Sequence, residues 1–192
     1  MGGYSDRYGA TALRLPLLGL VTGAPGGGKT TLAARVAAEL SLPHLNRDLV
    51  GWGMWLTDGD RRREHAWDVW IESIHVLLRA RASCVVDQTM YAGSNDVAFR
   101  REVDGRCLLV NVHVQAVNAR ERWEAKARAN PRYTEGELEP LLARWDSARG
   151  EFTDPMDFGG ALILVDTTDP TFPIEPLAQR VWEETLTLDA RR

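Results

Sequence analysis

A chain of 192 residues that is 44% hydrophobic and 26% charged has the composition of a water-soluble globular domain, and Cys84 and Cys107 are too few and too far apart for a zinc site or a disulfide framework. A formal net charge of -4 argues against sequence-indifferent binding to nucleic acid, which needs clustered positive charge. No apolar run approaches the roughly 20 residues that span a bilayer, and Met1 to Arg14 is Gly-rich and polar rather than a leader, so the expectation is a cytoplasmic chain with a flexible segment 1–14 and one domain over 15–190.

In chain order, strand and helix signals alternate. Leu17 to Thr22 is a short apolar strand run, Thr30 to Leu40 is rich in helix formers, and Pro43 to Asn46 is a second strand. From Arg61 to Ala82 the positions Trp67, Trp70, Ile71, Ile74, Leu77 and Leu78 follow helical spacing, which predicts one long amphipathic helix with both tryptophans in the core. Ser83 to Val86 is a third strand ending at Asp87, Ser94 to Val103 a short helix, and Leu108 to Val114 a fourth strand of near-continuous apolar character. A helix over about Val117 to Ala129 is followed by a turn at Pro131 and a second helix from Thr134, where TEGE has the form of a capping box. Ala161 to Val165 is a fifth strand ending at Asp166, and Ile174 to Leu188 a closing helix. Strands joined by crossover helices predict a three-layer α/β/α fold around a five-stranded parallel sheet, with ligands at the carboxyl ends of the strands.

Gly23, Ala24, Pro25, Gly26, Gly27, Gly28, Lys29 and Thr30 complete the pattern GxxxxGK followed by Ser or Thr, with Thr31 next in the helix. A strand precedes the run and a helix follows it, as a phosphate loop requires: backbone N–H groups cradle phosphates, Lys29 reaches the β- and γ-phosphates and the Thr30 hydroxyl ligates Mg²⁺. Lys29 and Lys126 are the only lysines among 23 Lys plus Arg, so both positions carry weight. The expected ligands are therefore ATP and Mg²⁺.

Asp48 ends the second strand, at the sheet edge where the loop opens, and two readings stand: a base for an acceptor hydroxyl, or the N-cap of a helix starting at Leu49. Asp87 at the end of the third strand would hold Mg²⁺ or orient the acceptor, with a turn carboxylate as the alternative. The following residue is Gln88 rather than the Glu by which many P-loop ATPases activate water, which leans toward transfer to a bound hydroxyl. Trp52 and Trp55, in GWGMW after Asp48, are candidates for an acceptor platform. Arg61 to Arg63 either decorate a helix start or attract an anionic acceptor. Arg120, Arg122, Lys126, Arg128 and Arg132 crowd one helix and its turn; Arg122 and Lys126 share a face, while Arg120, Glu124 and Arg128 could simply be i,i+4 ion pairs. His44, His65, His75 and His113 lie on separate elements and are given no catalytic role.

Over roughly Leu17 to Thr168 the chain resembles the small P-loop kinases related to phage-type polynucleotide kinase, zeta toxin and chloramphenicol phosphotransferase, through GAPGGGKTT, LNRD, VVDQT, the Arg-rich run 120–128 and LVDTT. The resemblance implies a nucleoside-monophosphate-kinase-like P-loop fold with an Arg-rich helical lid over about 118–135. It further implies Asp48 as general base, Arg122, Lys126 and Arg128 over the transferring group, and Asp166 with Thr167 around the nucleotide base. Polynucleotide kinases carry an Arg three residues after that Asp, where this chain has Gly51, so the expected acceptor is a small hydroxylated molecule such as a nucleoside, sugar derivative or antibiotic. A polynucleotide 5′-hydroxyl kinase is the alternative, and a nucleotide-dependent switch acting on a partner protein the alternative of another class. The oligomeric state is left open.

Overall fold

Five short apolar runs pair side by side, all parallel, in the order β2-β3-β1-β4-β5. They are β1 Leu17–Gly23, β2 His44–Asn46, β3 Cys84–Asp87, β4 Leu108–Gln115 and β5 Ala161–Asp166. The computed structural model describes residues 13–58, 65–130 and 134–192, without the side chains of 55–58 and 135. The helices are α1 Lys29–Glu39, α2 Arg47–Asp58, α3 Ala66–Arg79, α4 Asn95–Val103, α5 Ala119–Arg128, α6 Glu135–Ser147, α7 Arg149–Thr153 and α8 Ile174–Ala190.

Alternation along each strand sorts the core into two layers. Leu17 and Val21 of β1, Val85 of β3, Val110, Val112 and Val114 of β4 and Ile163 and Val165 of β5 pack against α1 and α8. The opposite face carries Leu18, Leu20, Val86 and Leu109, covered by Trp70, Ile71 and Ile74 of α3 and Phe99 of α4. Trp70 is fully buried, stacks on Phe99 with ring centroids 5.6 Å apart and donates its indole N–H to Leu45 O. Trp67 is half-buried, 5.5 Å from Trp70. The predicted three-layer parallel sheet is the observed fold.

Several boundaries differ from the sequence reading. The helix expected over 61–82 is described as α3 from Ala66 to Arg79, and 59–64, with Arg61, Arg62 and Arg63, lie outside the described residues. GWGMW lacks periodicity, yet it lies inside the 12-residue helix α2, because the Asn46 carboxamide oxygen accepts the backbone N–H of Leu49 in the N-cap position. The short α7 is an addition to the expected elements. Of the segment expected to be flexible, 1–12 lies outside the described residues, while the Arg14 N–H donates to Asp189 Oδ1. Both cysteines are buried free thiols, and burial pushes each up to about 12. No helix among the described residues is long and apolar enough to cross a membrane.

Register brings the chemistry to one edge. Val21 and Asp87 are paired across β1 and β3, Asn46 and Asp87 across β2 and β3, and Gly23 and Val114 across β1 and β4, so two polar strand ends, Asn46 and Asp87, share the carboxyl edge with the glycine-rich loop. Because β1 lies where the strand order reverses, its loop opens into the crevice that parallel α/β sheets offer to ligands.

Candidate active site

The loop after β1 is held from several sides. Gly26 has φ +84, and a Cβ there would lie 1.9 Å from Ala119 O, so glycine is the residue that lets the loop settle on the start of α5. Ala24 packs with Ala119, Trp145, Ala148 and Phe152 in a separate cluster above the sheet edge. The Trp145 indole donates to Pro25 O at 3.3 Å, and the buried Thr167 hydroxyl donates to Gly27 O at 2.6 Å. Thr167 thus acts as a clasp on the loop, and the Thr167 N–H donates to Gln115 O.

Lys29 opens α1 and is 9% exposed, its ammonium donating to Ala24 O at 2.9 Å. Burial lowers its pKa to about 8, against the pull of the Asp87 and Asp48 carboxylates. Thr30 follows Lys29 in the first turn of α1, and its hydroxyl donates to Asp87 Oδ2 at 2.7 Å.

Asp87 is 3% exposed, and its carboxylate gathers three side chains. His44 Nε2 lies 2.7 Å from Oδ1, Asn46 Nδ2 donates to both oxygens at 2.8 and 2.9 Å, and Thr30 completes the set. Burial pushes this carboxyl up, but the hydrogen bonds from His44, Thr30 and Asn46 outweigh it and hold the group below its ordinary range. The ionised Asp87 beside the Thr30 hydroxyl is an all-oxygen pair of the kind that suits Mg²⁺.

Asn46 also fixes the next element. While its amide N–H₂ engages Asp87, its Oδ1 caps α2, so the metal-type carboxylate and the first turn of α2 are joined through one side chain. The cap reading of Asp48 is thereby answered: Asn46 caps the helix, and Asp48 stands in its first turn, 78% exposed, with Arg47 Nη1 3.6 Å from its Oδ1.

These parts enclose a cleft of about 480 Å³ whose wall includes Lys29, Thr30, Asp48, Trp52, Arg122 and Lys126. Gly26 and Thr31 line it too, as do Arg47 and Thr89. Trp52 is half-buried there, one helical turn beyond Asp48, whereas the Trp55 side chain lies outside the described residues, as does Arg132.

The cations of α5 separate by face. The Arg122 guanidinium donates to Thr167 O and Thr168 O at 2.9 and 2.6 Å, which ties the cleft wall to the end of β5. Arg120 bridges to Asp146 at 2.8 Å and to Glu124 at 2.9 Å, and Arg128 pairs with Glu124 at 2.8 Å, so the i,i+4 stripe forms as the ion-pair reading described. Arg128 is not part of the cleft wall, while Lys126 is. Asp166 is exposed and accepts the Thr168 N–H at 2.8 Å, and hydrogen bonds from the Thr168 side chain and backbone, with Arg122 nearby, lower its pKa.

Residue-by-residue reading of the sequence gave His44 no role and passed over Asn46, Arg47 and Tyr91. Asn46 and Arg47 stand in the LNRD run, so a signal was present. Tyr91 is half-buried, edge-on to Phe152 at 5.7 Å in the cluster around Ala24, and burial raises its pKa. Nothing in the spacing marks it. A buried array also lies beneath the loop: the Thr22 hydroxyl donates to Asn111 Oδ1 at 2.8 Å and lies 3.0 Å from His113 Nδ1, and burial lowers the His113 pKa.

A family described as an AAA domain matches residues 18–153. Among solved structures, a candidate kinase from Chloroflexus aurantiacus J-10-fl is 22% identical with a TM-score of 0.74, over 92% of this chain and 99% of its own. A gluconokinase from Sinorhizobium meliloti 1021 is 19% identical with a TM-score of 0.55, covering 93% and 96%. The APS kinase CysC of Mycobacterium tuberculosis, in complex with AMPPNP and APS, is 17% identical with a TM-score of 0.58, covering 88% and 97%. No curated protein matches the chain. The likenesses show the fold, the five-stranded α/β arrangement of P-loop kinases.

Proposed function

We propose, for a chain that belongs to the AAA domain family over residues 18–153, a kinase that transfers the γ-phosphoryl group of ATP to a hydroxyl of a small molecule. The observation that carries this reading is the run of contacts from the glycine-rich loop through Thr30, Asp87 and Asn46 to α2, which puts Lys29 and the Asp48 carboxylate on one cleft. The likeness in fold to a gluconokinase and to an APS kinase holding AMPPNP and APS supports it. The finer kinship with polynucleotide kinases, zeta toxins and chloramphenicol phosphotransferases belongs to the same proposal.

In this reading residues 15–190 act as one kinase domain with a lid over about 118–135. The glycine-rich loop and the N-terminus of α1 receive the phosphates of ATP, Lys29 supplies charge to the β- and γ-phosphates, and the end of β5 at Asp166 and Thr167 borders the nucleotide base. Thr30 and Asp87 would hold Mg²⁺, which when bound neutralises charge on the phosphates. Asp48 accepts the proton of the acceptor hydroxyl as the oxygen of that hydroxyl bonds to the γ-phosphorus; the bond from that phosphorus to the β,γ-bridging oxygen breaks, and ADP departs with the bridging oxygen. Lys126 faces the equatorial oxygens from α5, and Arg122 and Arg128 join it by leaving the carbonyls of Thr167 and Thr168 and the carboxylate of Glu124. Trp52 would flank the acceptor.

The test is a transfer assay with γ-labelled ATP, Mg²⁺ and a panel of nucleosides, sugars, hydroxy acids and antibiotics, run on the wild type and on Asp48→Asn. We expect transfer to fall by about 10²- to 10⁴-fold in the variant, the usual contribution of a positioned base, while AMPPNP affinity changes by less than about twofold. Label appearing on a 5′-hydroxyl oligonucleotide would replace the small-molecule acceptor with a polynucleotide. Hydrolysis without transfer, equal in wild type and variant, would replace the kinase with a nucleotide-dependent switch.

A further inference from the structure

We infer that the acceptor is an anion, an alcohol that carries a carboxylate or phosphate a few bonds from its reacting hydroxyl, and that Arg47 is the residue that binds the oxyanion; this rests on the kinase reading above. Among the described residues lining the cleft, Lys29, Arg47, Arg122 and Lys126 are cationic and Asp48 is the only carboxylate. Lys29 belongs to the glycine-rich loop, and Arg122 is committed to the carbonyls of Thr167 and Thr168. Arg47 is placed differently, on the wall that carries Asp48 and Trp52.

The surroundings of Arg47 are those of a guanidinium awaiting a ligand. Its side chain is only 21% exposed, and its Nε is buried without a hydrogen-bond partner among the described residues. A buried donor left unmade costs roughly 1–3 kcal/mol, and a cation in the first turn of a helix opposes the helix dipole, so the folded chain alone gives Arg47 little reason to be there. The carboxylate that approaches it is Asp48, at 3.6 Å, beyond hydrogen-bond distance. An oxyanion would satisfy the open donor through the planar fork that guanidinium presents to carboxylate and phosphate.

Gly51, one turn along α2, also lines the cleft, and a Cβ there would sit 4.0 Å from Arg47 Nη1 and 3.5 Å from Ala66 Cβ, in ordinary van der Waals contact. Because Arg47 and Asp48 are adjacent, the group bound by one and the hydroxyl facing the other must belong to a compact molecule. A neutral polyol or nucleoside could accept a single N–H, but only a carboxylate or phosphate pairs two oxygens and a negative charge with the guanidinium fork.

The test uses the intact protein with Mg²⁺ and AMPPNP bound, so that the glycine-rich loop is already filled, and titrates inorganic phosphate and, in parallel, acetate. Binding is read by calorimetry and by the Arg47 Nε–H resonance, assigned by its loss in Arg47→Gln. We expect one of the two anions to shift that resonance, and the anion that does so identifies phosphate or carboxylate as the group. Arg47→Gln should weaken its binding at least about tenfold and Arg47→Lys by less, with AMPPNP affinity unchanged within about twofold. In the transfer assay, glycerol 3-phosphate or glycerate should be a better acceptor than glycerol. Two outcomes overturn the inference alone, with nucleotide binding and the Asp48 dependence intact: neither anion binds, or both bind Arg47→Gln as tightly as the wild type. A protein that fails to bind Mg²⁺ and AMPPNP overturns the kinase reading and this inference with it.

Discussion

The ammonium of Lys29 is buried under the loop it must serve, and burial lowers its pKa to about 8. Between pH 8 and the ordinary lysine range the unfolded chain holds a proton that the folded chain has lost, so this residue makes the protein more stable as pH rises through that window. Below pH 8 the charged ammonium is buried at full cost. Lys29→Met should therefore be more stable than the wild type at pH 7, by no more than about 3 kcal/mol, with the gap closing toward pH 10.5 in denaturant titrations. Phosphates restore the reason for the charge. Nucleotide binding above pH 8 should take up a proton and weaken with pH, which calorimetry in two buffers of different ionisation enthalpy would reveal; equal heats would count against Lys29 as the phosphate lysine.

Among elements, the glycine-rich loop depends on neighbours that arrive late in the chain. Trp145 of α6 and Thr167 after β5 each donate to one of its carbonyls, Pro25 O and Gly27 O. Trp145→Phe keeps the ring against Phe152 and should cost about 1 kcal/mol, the net worth of a hydrogen bond. Thr167→Val leaves Gly27 O with no hydroxyl donor in a buried place and should cost roughly 1–3 kcal/mol. Both variants should also bind AMPPNP more weakly, whereas unchanged nucleotide affinity would show that the loop holds its shape without them. The exposed pairs of Arg120 and Arg128 link helical turns at the surface and should matter less as salt is raised.

For the whole molecule, the parallel sheet gathers the site from strand ends far apart in sequence: Asn46 meets Asp87 across 41 residues, and Thr167 meets Gly27 across 140. A ligand that bridges such segments binds the folded chain and not the unfolded one. AMPPNP with Mg²⁺ at about 100 times its Kd should therefore add roughly 2.7 kcal/mol of stability, seen as an upward shift of several degrees in Tm. Lys29→Met at the same nucleotide concentration should show little shift. An equal shift in both proteins would place nucleotide binding away from the loop.

The sequence by itself determined the strands, the order of strand and helix, the glycine-rich loop with Lys29 and Thr30, and the placing of Asp87 at a strand end, because each is written in a short local pattern; Asp48, expected to end the second strand, stands instead in the first turn of α2, since β2 stops at Asn46. It also contained the i,i+4 pairing of Arg120, Glu124 and Arg128, which needs only helical spacing. Tertiary structure decided the rest. It made α2 a helix through a cap on Asn46, gave His44 a carboxylate partner 43 residues away, turned Arg122 onto the carbonyls after β5, and buried the Nε of Arg47, a residue of the cleft wall, with no partner among the described residues. Those outcomes depend on which strand lies beside which and on what burial does to a charge. Both are properties of segments brought together by the sheet, and a pattern confined to neighbouring residues does not encode them.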